Sequence, residues 1–212
     1  MVKSATSAMS ETHLWRKIIW SLLAVTYLTI RFFFTERLDA LGPYASYFFE
    51  LALVGISIFL AGRSFLSFFQ VQRRTLFAAL GSFAFGFCIY RAAGVAHIQI
   101  PFDLQGVETL FFLLLVAPIL EELLFRFFLW HPAETLVKKP ALTWILTSMV
   151  FSYSHFHALF FVPQEIHPFI IYQTAYTLLL GLWCGYSVLK SKSLAESMLI
   201  HFAFNLGFYL GS

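Results

Sequence analysis

Charge is what this chain has least of. Only 12% of its 212 residues are Asp, Glu, Lys or Arg, against about a quarter in soluble domains. Hydrophobic residues make up 59% and aromatic residues 19%, and 27 phenylalanines are too many for one soluble core of this length. The composition excludes an ordinary soluble domain and selects an integral membrane protein. Cysteine is scarce too. Cys88 and Cys184 both fall in apolar runs, which excludes a disulfide framework or a thiolate zinc site and leaves two thiols packed as small hydrophobes. The net charge of +3 is small and its basic residues sit at the ends of apolar runs, so nucleic acid is not an expected partner. The apolar run after Arg16 and Lys17 lacks a small-residue cleavage site and reads as a retained span. There is no internal repeat, low-complexity tract or soluble domain, so any chemistry must take place within the spans.

About 20 apolar residues suffice to cross the hydrocarbon. On that measure the chain is an all-α, polytopic transmembrane helical bundle of about seven spans, near residues 14–34, 44–62, 75–96, 106–130, 140–160, 168–189 and 193–210. Residues 1–13 form a polar tail and 14–212 a single transmembrane domain. Lys3, Arg16 and Lys17 precede the first span; Arg63, Arg73 and Arg74 lie between the second and third; Lys138 and Lys139 between the fourth and fifth; Lys190 and Lys192 between the sixth and seventh. The intervening loops hold Glu36, Arg37 and Asp39, then Asp103, then Glu165. The positive-inside rule puts the N-terminus in the cytoplasm and the C-terminus on the far side. Arg63, Ser67, Gln70 and Arg74 recur at helical spacing opposite Phe65, Phe68, Phe69 and Val71, the pattern of a short helix lying in the cytoplasmic interface.

Within the fourth span, Glu121-Glu122-Leu123-Leu124-Phe125-Arg126 places two carboxylates and a guanidinium in an apolar run from Leu110 to Trp130. Each charge at the bilayer centre costs about 2.5–3.5 kcal/mol on insertion scales, so the three must face protein and have partners. At roughly 100° per residue, Glu122 and Arg126 share a face while Glu121 points elsewhere. Arg126 is therefore expected to hold Glu122 and leave Glu121 free for chemistry; the structural alternative is one ion cluster pinning helices together. Pro118 should kink the helix one turn earlier and open a small polar cavity. Span five carries Phe151 and His155 at i,i+4, and span seven His201 and Asn205 at the same spacing. Tyr172, Gln173, Tyr176 and Thr177 give span six a polar stripe suited to a substrate groove.

Helix rise gives the depths. Glu121 and His201 lie about 12–14 Å from the cytoplasmic ends of their spans, so the site is expected to be reached from the cytosolic half. His155 is about 22 Å from Pro140, which requires span five to begin outside the hydrocarbon or to tilt strongly. Arg31, Glu50 and Arg91 fall near the far side and read as a separate structural pairing.

The chain has no His-Glu-x-x-His string for a zinc protease and no Gly-x-Ser-x-Gly elbow. Its only aspartates, Asp39 and Asp103, lie in loops, which excludes an aspartyl dyad. What remains is a glutamate able to act as general base, a histidine able to share its water, and donors for an oxyanion. The series Glu121-Glu122-x-x-x-Arg126, Phe151-x-x-x-His155 and His201-x-x-x-Asn205, in order on late spans, resembles the CPBP family, which includes the type II CaaX prenyl endopeptidases and bacterial relatives. The resemblance places a core at about 106–212 and implies a glutamic-type intramembrane endopeptidase with a polar conical cavity. Glu121 would activate water, His155 would position it, and His201 and Asn205 would stabilise the oxyanion. Glu122 and Arg126 would support them. No cofactor is expected. Zinc held by Glu122, His155 and His201 is the second choice, since an amide beside His201 suits an oxyanion better than a metal. The expected partners are the bilayer and a peptide or lipidated protein substrate, and the expected location is a bacterial inner membrane. A binding or immunity protein using the same cavity without turnover is the non-catalytic alternative. A proton-coupled transporter would need inverted repeats that are missing.

Overall fold

In a computed structural model that describes residues 2–42 and 44–212, with side chains from residue 14 onward, the regular structure is helical, with no strand among the described residues. Helix α1 (Val2–Phe33) is followed by a short α2 (Thr35–Asp39), then α3 (Ala45–Ala61) and α4 (Arg73–Val95). A long rod comprises α5 (Val107–Phe111), α6 (Ala117–Glu122) and α7 (Trp130–Val137), joined by two π-helical segments, Phe112–Val116 and Leu123–Phe128. Helices α8 (Pro140–Phe156), α9 (His167–Ser191) and α10 (Leu194–Leu210) complete the chain. Each apolar run expected from the sequence coincides with one of these long helices or with the rod. Ala45–Phe68 and Arg73–Val95 are each long and apolar enough to cross a membrane. The outer surface is apolar as well: Phe59 is 84% exposed and Phe77 75%. Such side chains belong against lipid rather than water.

The expected interfacial helix is corrected. The chain forms a seven-residue 3-10 helix, Gly62–Phe68, and has no regular structure from Phe69 to Gln72. Phe65 and Phe68 turn inward instead of lying on a bilayer surface, with ring centroids 5.0 and 5.8 Å from that of Phe127. Aromatic burial against the rod outweighs the amphipathic pattern that an α-helix would have satisfied.

Two helix pairs hold the site's elements. Helices α4 and α10 run parallel, and Ser82 Oγ donates to the Ile200 carbonyl at 2.8 Å. A Cβ added to Gly86 would lie 2.0 Å from the Phe204 carbonyl oxygen, and one on Gly207 2.0 Å from that of Phe83. Only glycine permits this approach, and close backbone contact supplies the dispersion that drives helix association in lipid. Helices α8 and α9 are joined by hydrogen bonds to backbone carbonyls: Trp144 Nε1 to Leu182 at 2.8 Å, Ser148 Oγ to Gly181 at 2.9 Å and Ser152 Oγ to Thr174 at 2.8 Å. At the start of α10, Ser193 Oγ accepts from the Glu196 N–H at 3.3 Å and donates to the Gln70 carbonyl, while Glu196 Oε1 accepts from the Gln72 N–H at 3.1 Å. This extended capping box ties α10 to the segment preceding α4.

Replacing Gly207 by Leu should force α4 and α10 apart. Such overpacking costs about 1–3 kcal/mol and more where backbone must move, so thermal unfolding in detergent should show a Tm lowered by several degrees. Gly94→Leu, at an open position on α4, should leave it unchanged.

Candidate active site

The rod positions the acidic pair through an irregularity built around Pro118. In the first π segment the Ala117 N–H donates to the Phe112 carbonyl, five residues back. The next bond of that pattern would run from residue 118 to the Leu113 carbonyl, but proline has no N–H to give. Asn205 Nδ2 donates to that carbonyl at 2.7 Å. A carbonyl stranded by Pro118 thus fixes the amide of Asn205, and the expected kink becomes a link between the rod and α10. Glu122 ends α6, the second π segment follows, and the Leu129 N–H closes on the Leu124 carbonyl at 2.8 Å. Such π-bulges concentrate at functional sites.

Glu122 is buried between two nitrogen groups. Its Oε1 lies 3.0 Å from His201 Nδ1 and its Oε2 3.5 Å from Arg126 Nε, the latter pair i,i+4 as the sequence suggests. Arg126 is buried as well; its Nη2 donates to the Gly181 carbonyl at 3.0 Å, and its guanidinium lies 5.1 Å from the Phe151 ring centroid. A Cβ on residue 181 would lie 3.4 Å from that Nη2 and 2.9 Å from Phe151, so a glycine there lets the guanidinium reach backbone. Buried charges persist only when paired in this way.

Glu121 is turned the other way. Its Oε2 is 3.7 Å from His201 Nε2, and about a quarter of its side chain remains accessible. With Nδ1 engaged by Glu122, the His201 ring directs Nε2 at Glu121. Phe151 sits between the two histidines, 5.1 Å from His155 and 6.0 Å from His201, edge to face with both. His155 Nε2 is buried and has no hydrogen-bond partner among the described residues.

These residues meet in one cavity of about 390 Å³, lined by Glu121, His155, His201 and Asn205 together with Gln173, Tyr176, Thr177 and aromatic walls that include Phe102, Phe112 and Phe208. Tyr172, expected in the groove, lies outside this wall; its hydroxyl donates to the Ile89 carbonyl at 2.6 Å and pins α9 to α4. A second cavity, about 340 Å³, reaches Glu121 and His155 from another side and is lined by Tyr27, Arg31, Asp39, Ser46 and Glu50. Arg31 and Glu50 are therefore not a separate pairing remote from the acidic site. Arg91 is not among the residues of either wall.

The expected depth of Glu121 is also corrected. The rod continues past Trp130 to Val137, so Glu121 is near its middle and not close to one end. The cavity is walled by the start of the rod (Glu108, Phe112), the first half of α9 (Gln173, Thr177) and the last turns of α10 (Phe208). All lie toward the helix ends opposite the Lys/Arg loops. His155, in the last turn of α8, lines this cavity together with Glu121.

Sequence reasoning did not find Gly181, Ser148 or Cys184. Gly181 and Ser148 act through backbone carbonyl contacts, which no spacing rule reveals. Cys184 lies with Glu122 and His201 so that ligand-type atoms of all three fall within 4.8 Å of one another. The zinc set expected as second choice, Glu122, His155 and His201, is not the one brought together. The observed trio fits a divalent ion poorly, since Glu122 is already the counter-ion of a buried guanidinium and Cys184 Sγ is directed at the Ser197 carbonyl at 3.6 Å.

The fold and site together define an all-helical membrane protein with a carboxylate–imidazole centre. The family model described as type II CAAX prenyl endopeptidase Rce1-like matches residues 104–207. That stretch, just under half of the chain, contains all three motifs and is similar to the Rce1-like family, in agreement with the CPBP resemblance. The match supports a protease of the CAAX type. No match was found among the curated proteins or among the solved structures.

The Asn205–Leu113 bond can be isolated by a double-mutant cycle. Asn205→Ala should destabilise the protein by about 1–3 kcal/mol by orphaning a buried carbonyl. In a Pro118→Ala background residue 118 regains its N–H, and the penalty should shrink by about 0.5 kcal/mol or more when chemical unfolding is compared.

Proposed function

We propose that this protein is an intramembrane endopeptidase of glutamic type, hydrolysing a peptide bond in a membrane-associated substrate without a metal. The observation that carries the reading is the single cavity in which Glu121, the more accessible acid, stands with His155, His201 and Asn205 while Glu122 and Arg126 lie buried behind them. Glu121 takes a proton from a water that His155 Nε2 helps hold, and the resulting hydroxide attacks the scissile carbonyl. The free amide N–H of Asn205, and the Nε2–H of a His201 ring protonated on both nitrogens, stabilise the oxyanion. The protonated Glu121 then returns its proton to the leaving nitrogen, the C–N bond breaks, and a carboxyl and an amine are released.

His201 needs a fixed ring for this role, and the 3.0 Å contact of Nδ1 with Glu122 supplies it. Asn205 has a second amide hydrogen beyond the one given to Leu113, and it lines the cavity. Gln173 and Tyr176 would align the substrate backbone, and the aromatic walls would hold an apolar chain or segment. The family description names prenyl endopeptidases, and a lipid-modified or apolar peptide suits those walls. The setting is a single transmembrane domain, residues 14–212, of about seven spans in a bacterial inner membrane, with the N-terminus cytoplasmic.

Glu121→Gln should lower turnover of a cleaved substrate by about 10²–10⁴-fold while detergent-solubilised protein keeps its Tm; retained turnover would refute the assigned base. Metal removal gives an independent check. Cleavage should persist after prolonged chelation and in Cys184→Ala, whereas loss in both that zinc restores would establish the metal-dependent reading instead.

A further inference from the structure

From the side on which its cavities lie, we infer that the site is reached from the extracytoplasmic face and acts on apolar peptide segments presented at the outer leaflet, not on tails held in the cytosol. The inference rests on the membrane-spanning hydrolase reading above and adds to it the side of attack. Ten of the fourteen lysines and arginines lie at one end of the helices, with three of the eleven acidic residues. At the other end stand only Arg31, Arg37 and Arg91, with six acidic residues. Cytoplasmic ends are the ones enriched in lysine and arginine, so the second end is the outer one.

Both cavities that touch Glu121 and His155 lie toward that acidic end. The first has the exposed Phe102 and Glu108 at its rim, residues of the segment between α4 and α6. The second has the exposed Asp39 at its rim and Arg31 and Ser46 in its wall. Contacts across the molecule agree on which ends are together: Tyr44 Oη donates to Glu108 at 2.6 Å, and His157 Nε2 lies 3.0 Å from the Phe32 carbonyl. Toward the cationic end the acidic pair is closed off, because Leu124, Phe127 and Phe128 are buried there and Phe127 is covered by Phe65 and Phe68.

The two cavities differ in chemistry. One is walled largely by aromatic and aliphatic side chains and suits an apolar segment entering from the outer leaflet. The other is lined by Arg31, Asp39, Ser46 and Glu50, charged and hydroxyl groups that keep water. It offers the hydrolytic pair a supply of solvent that the substrate does not block. A soluble fragment released between them leaves on the outer side.

The test is side-specific thiol labelling in intact bacterial cells, with Cys88 and Cys184 replaced by alanine. Single cysteines are placed as Gln105→Cys in the loop near the mouth, Thr109→Cys in the cavity wall and Lys138→Cys at the cationic end. A charged, membrane-impermeant methanethiosulfonate should modify the first two in intact cells and the third only after permeabilisation. The reverse pattern overturns the inference while leaving a hydrolase of opposite orientation. Modification of Gln105→Cys with Thr109→Cys protected from outside and reached from inside overturns the side of attack alone. Equal modification of all three without permeabilisation overturns both the inference and the membrane-spanning reading beneath it.

Discussion

The structure depends on one buried carboxylate. Glu122 is held by Arg126 on one oxygen and by His201 on the other, in a region where neither charge could remain without the other. A guanidinium in that position needs more than one acceptor. Gly181 supplies a carbonyl because it has no side chain, and Phe151 supplies a ring face. From this arrangement the placement of the other groups follows. The His201 ring is locked with Nε2 toward Glu121, and Phe151 is fixed between the two imidazoles. The two adjacent glutamates thereby acquire different surroundings, one inside a charge network and one on a cavity wall.

The backbone contributes through its irregularities. An unbroken α-helix would have bonded every carbonyl around Pro118 except one on its own surface. The π turn and the proline together leave the Leu113 carbonyl facing α10, where Asn205 meets it. The same close packing that glycines allow between α4 and α10 holds Asn205 and His201 at a set distance from the rod. Structure and proposed chemistry therefore draw on the same contacts: removing a cap, a glycine or a proline would move a group that faces the cavity.

Much of this could be read from the sequence, for identifiable reasons. Helix positions were legible because apolar runs of membrane length leave little else for the chain to form. The pairing of Glu122 with Arg126 followed from the helical period, and the separation of Glu121 from it by the same count. The i,i+4 spacing of His201 and Asn205 placed both on one face. The rest was not legible, because it depends on contacts between helices. Nothing in the spacing shows that Arg126 needs Gly181, that Tyr172 is spent on Ile89, or that Cys184 shares a corner with Glu122. The amphipathic pattern between α3 and α4 misled, because Phe65 and Phe68 found an aromatic partner in Phe127. Depth misled as well. Counting from Trp130 ended the rod a helical turn or two too soon.

The account rests on a division of labour between neighbouring acids, and comparing the thermal stability of Glu121→Gln with that of Glu122→Gln tests it directly. Taking one partner from a buried ion pair costs about 3–5 kcal/mol. Glu122→Gln should therefore unfold at a markedly lower temperature in detergent, while Glu121→Gln unfolds at or slightly above the unmodified protein's. Equal losses for both, or a larger loss for Glu121→Gln, would show that the two carboxylates form one structural cluster and would contradict the account.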